Sequence, residues 1–115
     1  MALCEMMLTL GSEITMTIQL RRYEVEAGGL QRLAAWFPTI AAVRDKYGFK
    51  IEFAYADTEN SEFVWAVSYP GDIEAFESAL AVYNESPERA DAFDGFSSPV
   101  AQMHLSYITP AADLG

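Results

Sequence analysis

FKIEFAYADTENSEFVWAVSY, residues Phe49 to Tyr69, reads as two strands joined by a short polar loop, Asp57 to Ser61. Phe49, Ile51, Phe53 and Tyr55 alternate along the first arm, and Phe63, Trp65, Val67 and Tyr69 along the second. Alternation with a period of two is the pattern of a strand with distinct faces. A symmetric loop sets Tyr55 opposite Phe63, Phe53 opposite Trp65 and Ile51 opposite Val67, with the large rings on one face. The other face carries Ala54, Ala56, Val64 and Ala66, so it is not polar either. A sheet that is apolar on both faces needs cover on both.

Upstream, Thr15 to Val25 alternates as a strand, with Met16, Ile18 and Leu20 on one side and Thr17, Gln19, Arg21 and Tyr23 on the other. Ala27-Gly28-Gly29 makes a turn. Leu30, Leu33, Ala34, Phe37, Ile40 and Ala41 then recur at helical spacing in a helix running to Tyr47. A second apolar stripe, Trp36, Ile40, Val43 and Tyr47, gives that helix more than one partner. Pro38 is expected to kink or break it, since proline removes a backbone donor. Gly48 supplies a left-handed stop, with Arg44 and Lys46 in the last turn favouring the helix dipole.

Downstream, Asp72 caps a helix whose buried stripe is Ile73, Phe76, Ala79, Leu80 and Tyr83. Ser86-Pro87 opens a second, short helix that ends before Gly95. Val100 to Ile108 is the last strand. One domain over residues 15–109 is expected, with 1–14 as an N-terminal extension and 110–115 as a frayed tail. Met1 to Leu10 does not have the pattern of a signal peptide. It reads either as an added start or as an edge strand.

Strand, helix, strand, strand, helix, strand is the order of two interleaved right-handed units. It predicts an α+β, ferredoxin-like βαββαβ sandwich with antiparallel sheet order 4-1-3-2 and both main helices on one face.

The 115 residues include 17 acidic and 7 basic side chains, for a net charge of −10. That balance argues against nucleic acid and against anionic membrane surfaces. A single cysteine, Cys4, forbids an internal disulfide and points to the cytoplasm. One Cys and one His make no zinc pattern, and neither a phosphate loop nor a nucleophile elbow is present, so no cofactor or metal is expected.

The runs IQLRRYEVEAGGLQRLAAWF, KYGFK, EFVWAVSYPGDIEAFESAL and NESPERA together resemble the NIPSNAP-type proteins of the dimeric α+β barrel group. The resemblance covers roughly Thr17 to Ala90. It implies a homodimer in which two sheets pack open face to open face around a cavity in each protomer.

On face parity, the helices should cover Ile18, Leu20, Val64, Ala66, Met103 and Leu105. The open face should then hold Gln19, Arg21, Tyr23, Phe53, Tyr55, Phe63, Trp65, Gln102, His104 and Ser106. From this set Gln19, Arg21, Tyr23, Phe53, Trp65 and His104 are the candidate ligand-binding residues: an aromatic wall beside a polar cluster. No carboxylate shares the face with Arg21, so its partner is a ligand acid, the other subunit or water. His104 and Tyr23 are the candidates for moving a proton. Three functions remain open. The first is a barrel that binds a small, mostly apolar molecule carrying an acidic group. The second is a cofactor-independent enzyme of the monooxygenase or isomerase kind, and the third a structural dimer.

Overall fold

The computed structural model describes residues 15–114. Strand β1 (Met16–Val25) is followed by helix α1 (Leu30–Lys46), strands β2 (Lys50–Asp57) and β3 (Glu62–Pro70), helices α2 (Ile73–Asn84) and α3 (Pro87–Phe93), and strand β4 (Val100–Ile108). The four strands form one antiparallel sheet in the order β2-β3-β1-β4, the ferredoxin-like arrangement the element order predicts. The 1–14 extension lies outside the described residues. At the other end, Ala111–Asp113 forms a single 3-10 turn.

The helix boundaries follow local chemistry. Asp72 caps α2 by accepting the Ala75 amide at 2.9 Å, and Ser86 caps α3 by accepting that of Arg89 at 3.1 Å, ahead of Pro87 in the first turn. Helix α1 has no side-chain cap and ends at Gly48, whose φ of +93° is the left-handed stop. The helix continues through Pro38, which therefore does not divide it.

The core consists of Leu33 and Ile40 from α1, Phe76 and Tyr83 from α2, and Phe49, Phe63, Trp65 and Val67 from the chain between them, closed at one end by Val25. The second stripe of α1 does find its own partner: Trp36 stacks on Phe96 at 4.1 Å and donates from Nε1 to Ala92 O at 2.8 Å.

Two irregularities decide what each face carries. The β2–β3 loop is not symmetric about the expected pairs: Asp57 pairs with Glu62, so Ala56 opposes Phe63 and Tyr55 opposes Val64. A bulge between Ile51 and Phe53 then restores the Ile51–Val67 pair. A one-residue slip moves every side chain to the other face, so Phe53 and Tyr55 do not sit with Phe63 and Trp65. A register shift beside Val25 does the same to β4, where Leu105 pairs with Arg21 and His104 with Arg22, so His104 does not share the face of Arg21.

For β1 and β3 the covered and open faces are the reverse of the expected ones, whereas Phe53, Tyr55, Gln102, His104 and Ser106 of β2 and β4 lie on the open face as expected and Met103 and Leu105 share the face of Tyr23 and Arg21. The helices cover Gln19, Arg21, Phe63 and Trp65, all buried, and Tyr23, half-buried. Ile18, Leu20, Val64 and Ala66 lie on the open face with Phe53, Tyr55, Gln102, His104 and Ser106. Aliphatic content was a poor guide here because the polar groups of β1 find hydrogen-bond partners within the fold. Arg21 Nη1 donates to Gln19 Oε1 at 2.6 Å, and Thr17 Oγ1 donates to Gly71 O at 2.8 Å.

Candidate functional site

A cavity of about 320 Å³ lies between the sheet and the helices. That is the low end of the range for small-molecule sites. Its walls are apolar and aromatic: Leu33, Phe37 and Ile40 from α1, Trp65 from β3, Phe93 from α3 and Met103 from β4. Three arginines, Arg21, Arg44 and Arg89, share the lining, and among the described residues no Asp or Glu does.

Each guanidinium arrives from a different element. Arg21 comes from β1 directly opposite Trp65. Its Nε donates to Tyr23 Oη at 2.8 Å and its Nη1 to Gln19, so two of its donors meet neutral oxygens. Arg44 stands in the last turn of α1, continuing the inward stripe of Leu33, Phe37 and Ile40. Arg89 comes from the first turn of α3. The cations share aromatic faces. Trp65 lies 5.2 Å from Arg21 Cζ and 5.2 Å from Arg44 Cζ, and Tyr83 lies 4.3 Å from Arg44 Cζ and 5.7 Å from Arg89 Cζ. Such contacts partly compensate a buried cation.

Hydrogen bonds do not complete the compensation. Arg44 is 4% exposed, yet among the described residues its Nε and Nη1 have no acceptor, and neither do Arg89 Nε and Trp65 Nε1. Among the described residues no carboxylate forms an ion pair with Arg21, Arg44 or Arg89. Burial therefore pushes Arg44 down from 12.5 to about 10, with the Arg21 charge adding to the fall and Tyr83 and Tyr23 opposing it. A buried donor without an acceptor is costly, and native interiors hold few of them.

Of the residues singled out in the sequence, Gln19, Arg21, Tyr23 and Trp65 come together on the covered face, with all but Gln19 lining the cavity. Phe53 and His104 do not join them. His104 is on the open face, its Nε2 2.7 Å from Glu24 Oε2, next to the pair Arg22–Glu62 at 3.0 Å. Arg44 and Arg89 were not among the candidates. Arg44 has the basic character that suits a helix C-terminus, but it also lies four residues after Ile40 and seven after Phe37, the spacing of the buried stripe. Arg89 lies four residues before Phe93 on α3, and its Cζ is 4.4 Å from that ring.

Helix α3 is held over the cavity from outside. Glu88 accepts from Lys46 Nζ at 2.7 Å and from Tyr47 Oη at 2.5 Å, which lowers the Glu88 carboxyl to about 2 and raises Lys46 and Tyr47.

This sheet order with its helices on one face has counterparts among solved structures. In fold, the chain is similar to NIPSNAP-family proteins. A NIPSNAP-like domain protein from Burkholderia xenovorans superposes with a TM-score of 0.71 at 20% identity, over 84% of this chain and 86% of that one. A NIPSNAP family protein of unknown function from Agrobacterium tumefaciens gives a TM-score of 0.73 at 10% identity, over 84% and 88%. A candidate antibiotic biosynthesis monooxygenase from Bacteroides thetaiotaomicron gives 0.62 at 18% identity, over 84% and 90%. No family model and no curated protein matches the chain. No helix among the described residues is long and apolar enough to cross a membrane.

Proposed function

We propose that the cavity under α1 binds a small, mostly apolar molecule through an acidic group. The observation that carries this reading is Arg44, almost fully buried in the cavity wall with donors that nothing in the described chain accepts. A carboxylate entering the cavity would accept those donors and neutralise the charge, while Phe37, Ile40 and Trp65 take the apolar body. The site is the covered face of the sheet, not the barrel interior. Its test is a titration followed by tryptophan fluorescence with benzoate and with its neutral analogue benzamide. Benzoate should bind and benzamide should not; equal responses to both would reject the role given to Arg44.

A homodimer through the open face is part of the same proposal. Ile18, Leu20, Phe53, Tyr55, Val64 and Ile108 give that face an apolar stock, with Tyr55 69% exposed. A second copy packed on it would cover these side chains. Sedimentation showing a monomer at micromolar concentration would overturn that part and leave the cavity untouched.

A catalytic role is a second reading, favoured by Tyr23, whose oxygen accepts from Arg21 at the cavity wall and leaves the phenolic proton free. Similarity in fold to a candidate monooxygenase supports it by analogy only. Solvent-deuterium exchange into a bound aromatic keto acid, abolished by Tyr23→Phe, is its test; absence of exchange in the unmodified protein would reject it.

A further inference from the structure

One acidic group would answer Arg44, but the cavity holds a second cation with a donor to spare. Two donors of Arg21 are taken up by Tyr23 and Gln19. Arg44 and Arg89 keep unpartnered donors, come from separate helices, and share the ring of Tyr83 at 4.3 and 5.7 Å. A monoanion leaves one of these two charges uncompensated in a cavity that no carboxylate among the described residues lines. We infer that the ligand class is a small aromatic dianion, held by Arg44 from α1 and Arg89 from α3 together. This inference rests on the anion-binding reading of the cavity.

Two carboxylates on one ring, or a single phosphate monoester, would each supply the paired charge. Carboxylates set apart would take one arginine each, whereas a phosphate has oxygens enough for both. Helix α3 then fixes specificity, since it carries Arg89 and Phe93 and is tied to α1 through Glu88 and through the Trp36–Ala92 bond.

Calorimetric titration of the full chain with benzoate, isophthalate and phenyl phosphate at neutral pH tests this. At least one dianion should bind about tenfold or more tightly than benzoate, the gain expected from one added charge-assisted bond. A gain for isophthalate alone assigns separated carboxylates, and one for phenyl phosphate alone assigns a phosphate head. Arg89→Gln should abolish the preference for the dianions over benzoate, and Arg89→Lys should restore part of it. Equal affinities for all three acids in the unmodified protein would overturn the dianion and leave the anion-binding cavity standing. Failure of every acid to bind would remove both.

Discussion

Replacing Arg44 by methionine should make the unliganded protein more stable while emptying it of affinity. The cost of the guanidinium can be read from its proton equilibrium. Burial lowers Arg44 from 12.5 to about 10, which at ~1.4 kcal/mol per tenfold corresponds to about 3 kcal/mol paid to keep it charged in the fold. Methionine recovers that cost and keeps an apolar stem against Phe49, Trp65 and Tyr83. It forfeits the contact with the Tyr83 ring, worth ~1–2 kcal/mol when desolvated. The net expectation for Arg44→Met is a gain of about 1–2 kcal/mol, or roughly 4–8 °C in Tm for a domain of this size. Calorimetry without ligand measures it. The sign of the pH dependence is fixed as well. A base whose folded pKa is depressed costs stability wherever it is protonated in both states, and the cost is relieved as pH rises past the folded value. The advantage of the variant should therefore be flat from pH 6 to 9 and close between about pH 10 and 12.5. A fall in Tm on Arg44→Met would refute the reasoning, because it would mean that the guanidinium is already fully partnered.

Gly29→Ala should destabilise, since a Cβ there would stand 2.4 Å from Pro99 Cβ; about 1–3 kcal/mol in urea unfolding is expected. Trp36→Phe removes the bond to Ala92 O and should cost about 1 kcal/mol, with weaker binding of acids as α3 loosens. Glu88→Gln should reduce the loss of stability on acidification. The Glu88 carboxyl is depressed to about 2, so its contribution is present above its ordinary value of 4.5 and lost as pH falls through about 2; acid titrations of the two proteins compare directly. Leu20→Asp, on the open face, should weaken any dimer in sedimentation while leaving benzoate affinity unchanged.

The architecture was legible because caps, stops and periodicities were local: Asp72, Ser86-Pro87 and Gly48 act as expected on their own neighbours. That Arg21, Tyr23, Phe63 and Trp65 share one face was legible too, as β1 and β3 run together without a bulge. What failed was nonlocal. The bulge in β2 and the shift in β4 put Phe53 and His104 on the face opposite to Arg21 and Trp65, and no residue in either strand announces them. The choice of covered face failed because Ile18 and Leu20 looked like core, whereas Arg21, Gln19 and Thr17 could be buried once each had a polar partner. Arg44 sat on the buried stripe of α1 in the sequence, and its charge hid it.

The central claim is that an acid enters beneath α1 and meets Arg44 beside Trp65. The chain has two tryptophans, so its two indole N–H resonances can be followed in one proton–nitrogen spectrum. Trp36 Nε1 is already bonded to Ala92 O, whereas Trp65 Nε1 has no acceptor. Adding benzoate should shift the Trp65 indole signal and the Arg44 Nε signal, leaving the backbone amides of Phe53 and His104 on the open face in place. Shifts confined to Phe53 and His104, with Trp65 and Arg44 unmoved, would contradict the account.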